Sequence, residues 1–285
     1  MNKLSAERIV FNTFKVVTFA IVAIVLGLIF FIFARGFSVL SPRFLTAPPS
    51  QGMLGGGIST PILGTLFVMI LTVIFAIPLG ICAAVFLSEY TDKVDPRIIR
   101  MVKLAINNLA GVPSIVYGLL GLGLFVLFMN LRFSVLSASL TLSFLTLPVI
   151  IAASEEALRN VPREYREASF ALGATKWETV RNVVLPSALP GILTACILGM
   201  SRAAGETAPL LMTGAAYYLP RFSGNIMRQF MALSTHIFYM ATQSPNPDIT
   251  RPIQYGTIAV LLIIVLTMNM GAILLRTYYR RKLGR

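Results

Sequence analysis

The feature that most constrains this chain is how far it runs without a charge. Uncharged stretches cover residues 16–34, 44–88, 104–131, 133–154, 182–201 and 252–275, with 19, 45, 28, 22, 20 and 24 residues respectively. A charge at the centre of a bilayer costs about 2.5–3.5 kcal/mol, so these runs mark where the chain can enter lipid. Crossing takes about 20 apolar residues. The opening of the second run holds Pro48, Pro49, Gly52, Gly55, Gly56 and Gly57. It reads as loop and leaves a helix over residues 60–88. The fifth run continues past Arg202 and Glu206 to Met212. Six transmembrane helices are predicted, in an all-α, polytopic chain. Composition agrees. Charged residues make up 12 % and hydrophobic ones 56 %, and mean hydropathy is +0.80. A soluble domain carries about 25 % charged residues. A soluble enzyme, a disordered chain and a coiled coil are excluded.

The charges that do exist are lopsided: 24 Lys+Arg against 11 Asp+Glu, a net +13. Six spans put both termini on one side. Seventeen of the 24 cations fall on that side, in four clusters: Lys3 to Lys15, Lys93 to Lys103, Arg159 to Arg181, and Arg276 to Arg285. Cytoplasmic loops carry such an excess. Both termini are therefore expected in the cytoplasm. The basicity reads as topology, with lipid as the partner and no nucleic acid. The first span is too long for an ordinary signal-peptide core, and Arg35-Gly36-Phe37 is no small-residue cleavage site. It reads as an uncleaved anchor. Cys82 and Cys196 both fall inside spans and predict no disulfide.

Catalytic machinery is sparse. The chain has no Gly-Lys dipeptide and so no phosphate-cradling nucleotide loop. It lacks H-E-x-x-H and C-x-x-C, and its one histidine is His236. No metal site or resident cofactor is expected. A channel, a transporter subunit or a scaffold remains.

The densest polar segment is the loop over residues 155–187. Pro162 and Gly173 bracket a short helix over residues 163–172. Thr175 and Glu178 form a capping box that starts a second one, expected to stop before Pro186. Tyr165, Ala168, Ser169 and Leu172 share a face of the first, with room for another protein to approach. An amphipathic loop lying on lipid is the alternative.

This loop resembles the EAA loop of permease subunits of prokaryotic ABC importers: E-A-A, three residues, G, nine residues, I-x-L-P. Here stand Glu167-Ala168-Ser169, Gly173 and Val183-Val184-Leu185-Pro186 at matching spacing. Ser169 and Val183 depart conservatively from the pattern. The resemblance implies a type I ABC importer permease fold. It implies that Glu167, Ala168, Ser169, Gly173 and Pro186 serve coupling to a separate ATPase subunit, which would bind the ATP and Mg.

Arg202 and Glu206 lie four residues apart inside span five and share a helix face. Intramembrane charges mark a functional site by default. Arg holds oxyanions through paired, charge-assisted hydrogen bonds. Glu206 would neutralise it when no anion is bound. A structural ion pair is the alternative. Ser201, Thr207, Asn107, Asn108, Ser114 and Tyr117 are candidates to line the same path, beside a kink at Pro113, although such groups also serve ordinary interhelical bonds.

The strings R-A-A-G-E-T-A-P-L from Arg202, N-L-A-G-V-P-S-I-V-Y-G from Asn108 and P-L-G-I-C-A-A-V-F-L-S-E-Y from Pro78 resemble the phosphate-specific subgroup, its A-type subunit rather than the C-type. That implies import of inorganic phosphate. The implied partners are a C-type permease, two ATP-binding subunits and an extracytoplasmic phosphate-binding protein. Sulfate, molybdate or an amino acid as cargo is a second reading, and a secondary transporter a third. Residues 1–59 read as an N-terminal tail, span and external loop, and residues 60–285 as the transport domain. The segment over residues 213–251 is expected outside, with a short surface helix over residues 225–238.

Overall fold

The computed structural model describes residues 3–92 and 94–282. Lys93, Arg285 and the side chains of Lys3 and Arg8, all counted above, lie outside that description. The chain opens with α1 (Lys3–Gly36), a short α2 (Pro42–Thr46) and a two-residue hairpin, β1 (Pro49–Ser50) and β2 (Gly55–Gly56), paired antiparallel. Then come α3 (Ser59–Glu89), α4 (Pro96–Ala110), α5 (Ser114–Gly121) and α6 (Val135–Arg159). Next are α7 (Arg163–Ala171), α8 (Lys176–Thr179), α9 (Leu185–Gly205) and α10 (Ala208–Thr213). Last are α11 (Leu233–Gln243) and α12 (Pro247–Lys282).

The bundle centres on α6, packed between α3 and α9. Its seams are made of small residues. A methyl group added at Gly80 of α3 would lie 2.6 Å from Ile150 of α6, and one at Gly199 of α9 would lie 2.7 Å from the same side chain. Lipid tails are as apolar as Leu, so helices in a membrane gain most from close backbone approach and interhelical hydrogen bonds. Both are present. Ser139 donates to the Val68 carbonyl at 3.3 Å and Ser143 to the Thr72 carbonyl at 3.3 Å. The long α1 packs along α12 at the periphery, with Phe31 edge-on to Tyr255 at 5.7 Å.

Four expectations need correction. The third predicted span is not one helix. The chain bends by 103° between α4 and α5. Pro113 has no N–H and disfavours helical backbone at Val112. The α4 sequence also alternates Arg97, Arg100 and Lys103 with Ile98, Met101 and Leu104, a pattern that suits an interface better than a bilayer core. No residue of α4 is buried. Beyond the bend, α5 runs on without a charge into a wider π-type turn over Leu122–Phe128.

Nor does the second loop helix stop before Pro186. From α8 the chain runs through a π-type turn over Val180–Val184 directly into α9. The proline ring would clash with the carbonyl four residues back in a regular helix. A wider turn just before it relieves that clash. At its other end span five is shorter than expected. Glu206 is extended (φ −69°, ψ 138°), so α9 ends at Gly205 and α10 is a separate turn.

The segment after α10 lies only partly at the surface: residues 223–229 are exposed, but the chain turns inward at Phe230. Phe230, Met231, Leu233 and His236 are buried. Met231 presses its carbonyl against Gly64 of α3, and Thr65 accepts from the Leu233 N–H at 2.9 Å. A contiguous run of Phe230 to Leu233 has no exposed face to offer, and Gly64 leaves it a seat. The helix is α11, starting at Leu233 rather than Asn225.

Burial leaves both ring nitrogens of His236 without a hydrogen-bond partner among the described residues. Desolvation pulls its pKa from 6.5 down to about 4. An unfolded chain binds that proton below pH 6.5, and the folded one only near pH 4. Stability is therefore full above pH 6.5 and falls as pH drops. The expected loss between pH 7 and 5 is about 2 kcal/mol. Melting temperatures in detergent should fall over that range in the wild type and fall less in His236→Leu. Equal falls would refute the assignment to His236.

Candidate functional site

Two places gather the residues singled out from the sequence. The first lies where three helix breaks meet. Arg202 sits in the last turn of α9, and its Nε is 3.7 Å from Glu206 Oε1. Its Nη1 donates to the Ala110 carbonyl, at the end of α4, at 3.3 Å. The neighbouring Leu109 carbonyl accepts from the Tyr117 hydroxyl at 2.9 Å. The Glu206 carbonyl accepts from Ser234, in the first turn of α11, at 2.9 Å. The ends of α4 and α9 and the starts of α5, α10 and α11 thus converge on one charge pair. Broken backbone at membrane depth persists only where protein buries it or a water-filled cavity meets it.

The pair is not closed. Arg202 is 32 % exposed at its side chain and Glu206 15 %. At 3.7 Å their contact is longer than the 2.7–2.9 Å of a tight charge-assisted bond. A guanidinium carries five N–H donors, and two partners are recorded for this one. A methyl group added at Gly205 would meet nothing within 4 Å. Donor capacity and open space therefore coincide at a cation flanked by a carboxylate.

The other path candidates divide. Tyr117 belongs to the cluster. Ser114 opens α5 and Thr207 opens α10, the Thr207 carbonyl accepting from Leu211 at 3.0 Å. Ser201 lies 2.7 Å from Asn269 Oδ1 and ties α9 to α12. Asn107 is on the exposed side of α4. It lines a separate cavity of about 460 Å³ with Lys103, Glu155, Glu156 and Arg159. There Lys103 is paired with Glu155, which lies 3.7 Å from Arg159. Its neighbour Asn108 is exposed too. Sequence reasoning missed Asn269, Ser234 and the carbonyls of Leu109 and Ala110. Asn269 had a signal, as a polar residue in the middle of the last uncharged run. The carbonyls had none, because they are freed by a break that residue types do not place.

The second place is the loop end of the bundle. The short helix α7 begins after Pro162, and Gly173 just beyond it takes φ +82°. The capping box is formed: Thr175 accepts from the Glu178 N–H at 3.3 Å, and Glu178 accepts from the Thr175 N–H at 2.8 Å. The Thr175 N–H and hydroxyl, each donating to Glu178 Oε2 at 2.8 Å, hold the Glu178 carboxyl below its usual pKa. One side of α7 faces the bundle through Arg166 and through Ser169, which lies 2.9 Å from the Thr179 hydroxyl. Ser169 therefore does not share the outward face with Tyr165, Ala168 and Leu172. That face is apolar and exposed, with Leu172 90 % and Trp177 of α8 57 % accessible. Glu167, also exposed, lines a polar cavity of about 580 Å³ beside Glu89, Arg163 and Arg166. Pro186 stands inside the continuous helix, away from the exposed face. Among the described residues no group of three or more His, Cys, Asp or Glu is placed to hold a metal ion.

Residues 76–285 match the family described as binding-protein-dependent transport system inner membrane component. The chain is 35 % identical over 295 residues to a probable ABC transporter permease protein, YqgI, of Bacillus subtilis, covering 99 % of each. It is 34 % identical over 280 residues to the phosphate transport system permease protein PstA 1 of Mycobacterium tuberculosis, covering 95 % of this chain and 89 % of the relative. Among solved structures, a chain of the MetNI methionine ABC transporter in an inward-facing conformation aligns with TM-score 0.62 at 20 % identity, over 81 % of this chain and 99 % of the other. A chain of a bacterial alginate ABC transporter aligns with TM-score 0.63 at 12 % identity, over 99 % and 97 %. Those two likenesses show the fold. The family match, the near full-length relatives and the multi-pass bundle agree: the chain belongs to the inner membrane components of binding-protein-dependent transport systems, the permease subunits of ABC importers.

Proposed function

We propose that this permease passes inorganic phosphate into the cytoplasm. The observation that carries the reading is Arg202, a one-third-exposed side chain at a junction of broken helices, only loosely held by Glu206. A planar fork of donors suits a tetrahedral oxyanion, and a nearby carboxylate keeps the anion from being trapped. The relatives named for phosphate transport support that cargo over other oxyanions. Arg202 contacts the anion, Glu206 weakens its hold, and Tyr117, Ser114, Thr207 and Ser201 shape the surroundings. Asn107 stands apart from this group, in the cavity beside Lys103 and Glu155.

In this reading the α7 end faces the cytoplasm with both termini. Glu167, Ala168 and Leu172 meet an ATP-binding subunit, with Ser169, Gly173 and Pro186 fixing the loop behind them. Two such subunits hold ATP and Mg, a C-type permease completes a heterodimer, and a phosphate-binding protein docks outside. The transport domain spans residues 60–285, with residues 1–59 appended.

The test is reconstitution of the complex in liposomes with labelled phosphate inside or outside. Phosphate should enter only when ATP and the binding protein are supplied, and excess sulfate should not compete. Sulfate competition would move the cargo to another oxyanion. Uptake without ATP would favour a secondary transporter.

A further inference from the structure

Arg166 is bonded at every donor it has. Its Nε donates to Glu89 Oε2 at 3.2 Å, and its Nη2 to Glu89 Oε1 at 2.7 Å and to the Leu158 carbonyl at 2.9 Å. Its Nη1 donates to the carbonyls of Val161 at 2.7 Å and Pro162 at 3.4 Å. Those five bonds use all five N–H groups of a guanidinium. They join three elements. Glu89 is the buried last residue of α3, Leu158 lies in the last turn of α6, and Arg166 itself is on α7. The Leu158 carbonyl belongs to the last turn of α6, and those of Val161 and Pro162 to the link between α6 and α7. The carboxylate is gripped bidentately by a side chain only 18 % exposed. The other ties at this end, Lys176 to Asp92 and Lys103 to Glu155, are single contacts from flexible ammonium groups that are 39 % and 30 % exposed.

We propose that Arg166 is the positioning residue through which movement of α7 is passed to α3 and α6. The proposal rests on the reading of α7 as the ATPase dock. Its physical ground is that α7 has no buried residue of its own. Of its bonds to the bundle, those of Arg166 reach α3 and α6, whereas the Ser169 hydroxyl meets Thr179 of the neighbouring α8. To pass a push on α7 to α3 and α6, a group must touch both and be rigid enough to carry the displacement. A planar guanidinium fixed at five points is such a group, and α6 in turn packs against α9, whose last turn carries Arg202. A lysine cannot reproduce the fork.

The experiment uses the full complex in liposomes and measures ATP hydrolysed and phosphate moved by wild type, Arg166→Lys and Glu89→Gln. Loss of one charge-assisted pair should lower phosphate moved per ATP about tenfold in either variant, while hydrolysis stays near wild type. An unchanged ratio overturns the proposal, whether both rates hold or both fall together. So does failure of both variants to assemble, which would make the clamp a folding element. Failure of the function reading looks different, because it shows in the wild type. If wild type moves another oxyanion, the same ratio is taken with that anion. If no ATPase subunit assembles with wild type, the docking premise itself fails.

Discussion

Arg202→Gln is expected to stop phosphate uptake while the complex still assembles. Glutamine keeps a polar head and much of the length but loses the charge and the fork. A charge-assisted pair of hydrogen bonds to an anion contributes about 3 kcal/mol, or about a hundredfold in uptake at limiting phosphate. Arg202→Lys should fall between the two, since an ammonium attracts the anion without matching its geometry. Glu206→Gln should act in the opposite sense on binding. Removing the carboxylate 3.7 Å from the guanidinium strengthens the hold on phosphate and slows its release. Uptake and assembly must be read together. Normal uptake in Arg202→Gln would remove Arg202 from the path. Lost assembly would make the pair a packing device, since deleting one partner of a buried ion pair costs about 3–5 kcal/mol.

The charge pair was legible in the sequence because two charges inside an apolar run stand out against their surroundings. Its geometry was not. Spacing alone put Arg202 and Glu206 on one face of a continuous helix, whereas Glu206 lies just past the end of α9 in extended backbone. The contact survives because the break comes after the last turn. In span three Pro113 marked where the helix bends but not by how much. An uncharged count says that residues 104–131 tolerate lipid, but it carries no direction, so a 103° turn at Pro113 leaves it unaltered. Asn107 was grouped with Tyr117 on that assumption and lies beside Lys103 and Glu155 instead.

At the loop end, local chemistry was read more accurately than rotation. Caps are decided within four residues, so Pro162, Gly173 and the Thr175–Glu178 box form as their sequence requires. Which side of α7 faces out depends on the residue that anchors it, and that anchor is long-range. Arg166 reaches Glu89, 77 positions away in the chain. This sets the helix so that Ser169 turns inward. Nothing within the loop specifies that partner.

The rotation has a consequence for docking. Leu172→Asp should abolish association with the ATP-binding subunit and leave the permease itself as stable as wild type. Leu172 is 90 % exposed, so in the isolated chain its replacement disturbs no packing. In the complex a carboxylate would have to be buried where an apolar side chain belongs. The lost burial and the unpaired charge together cost about 4 kcal/mol, roughly a thousandfold in Kd. The measurement is co-purification of the ATPase subunit in detergent, with the melting temperature of the permease alone as control. Retained ATPase would mean that the exposed apolar face of α7 is not the dock. The contrast with Arg166 separates attachment from transmission. A lesion on the outward face removes hydrolysis and transport together by losing the motor, whereas a lesion at the clamp keeps the motor attached and running and loses its grip on α3 and α6.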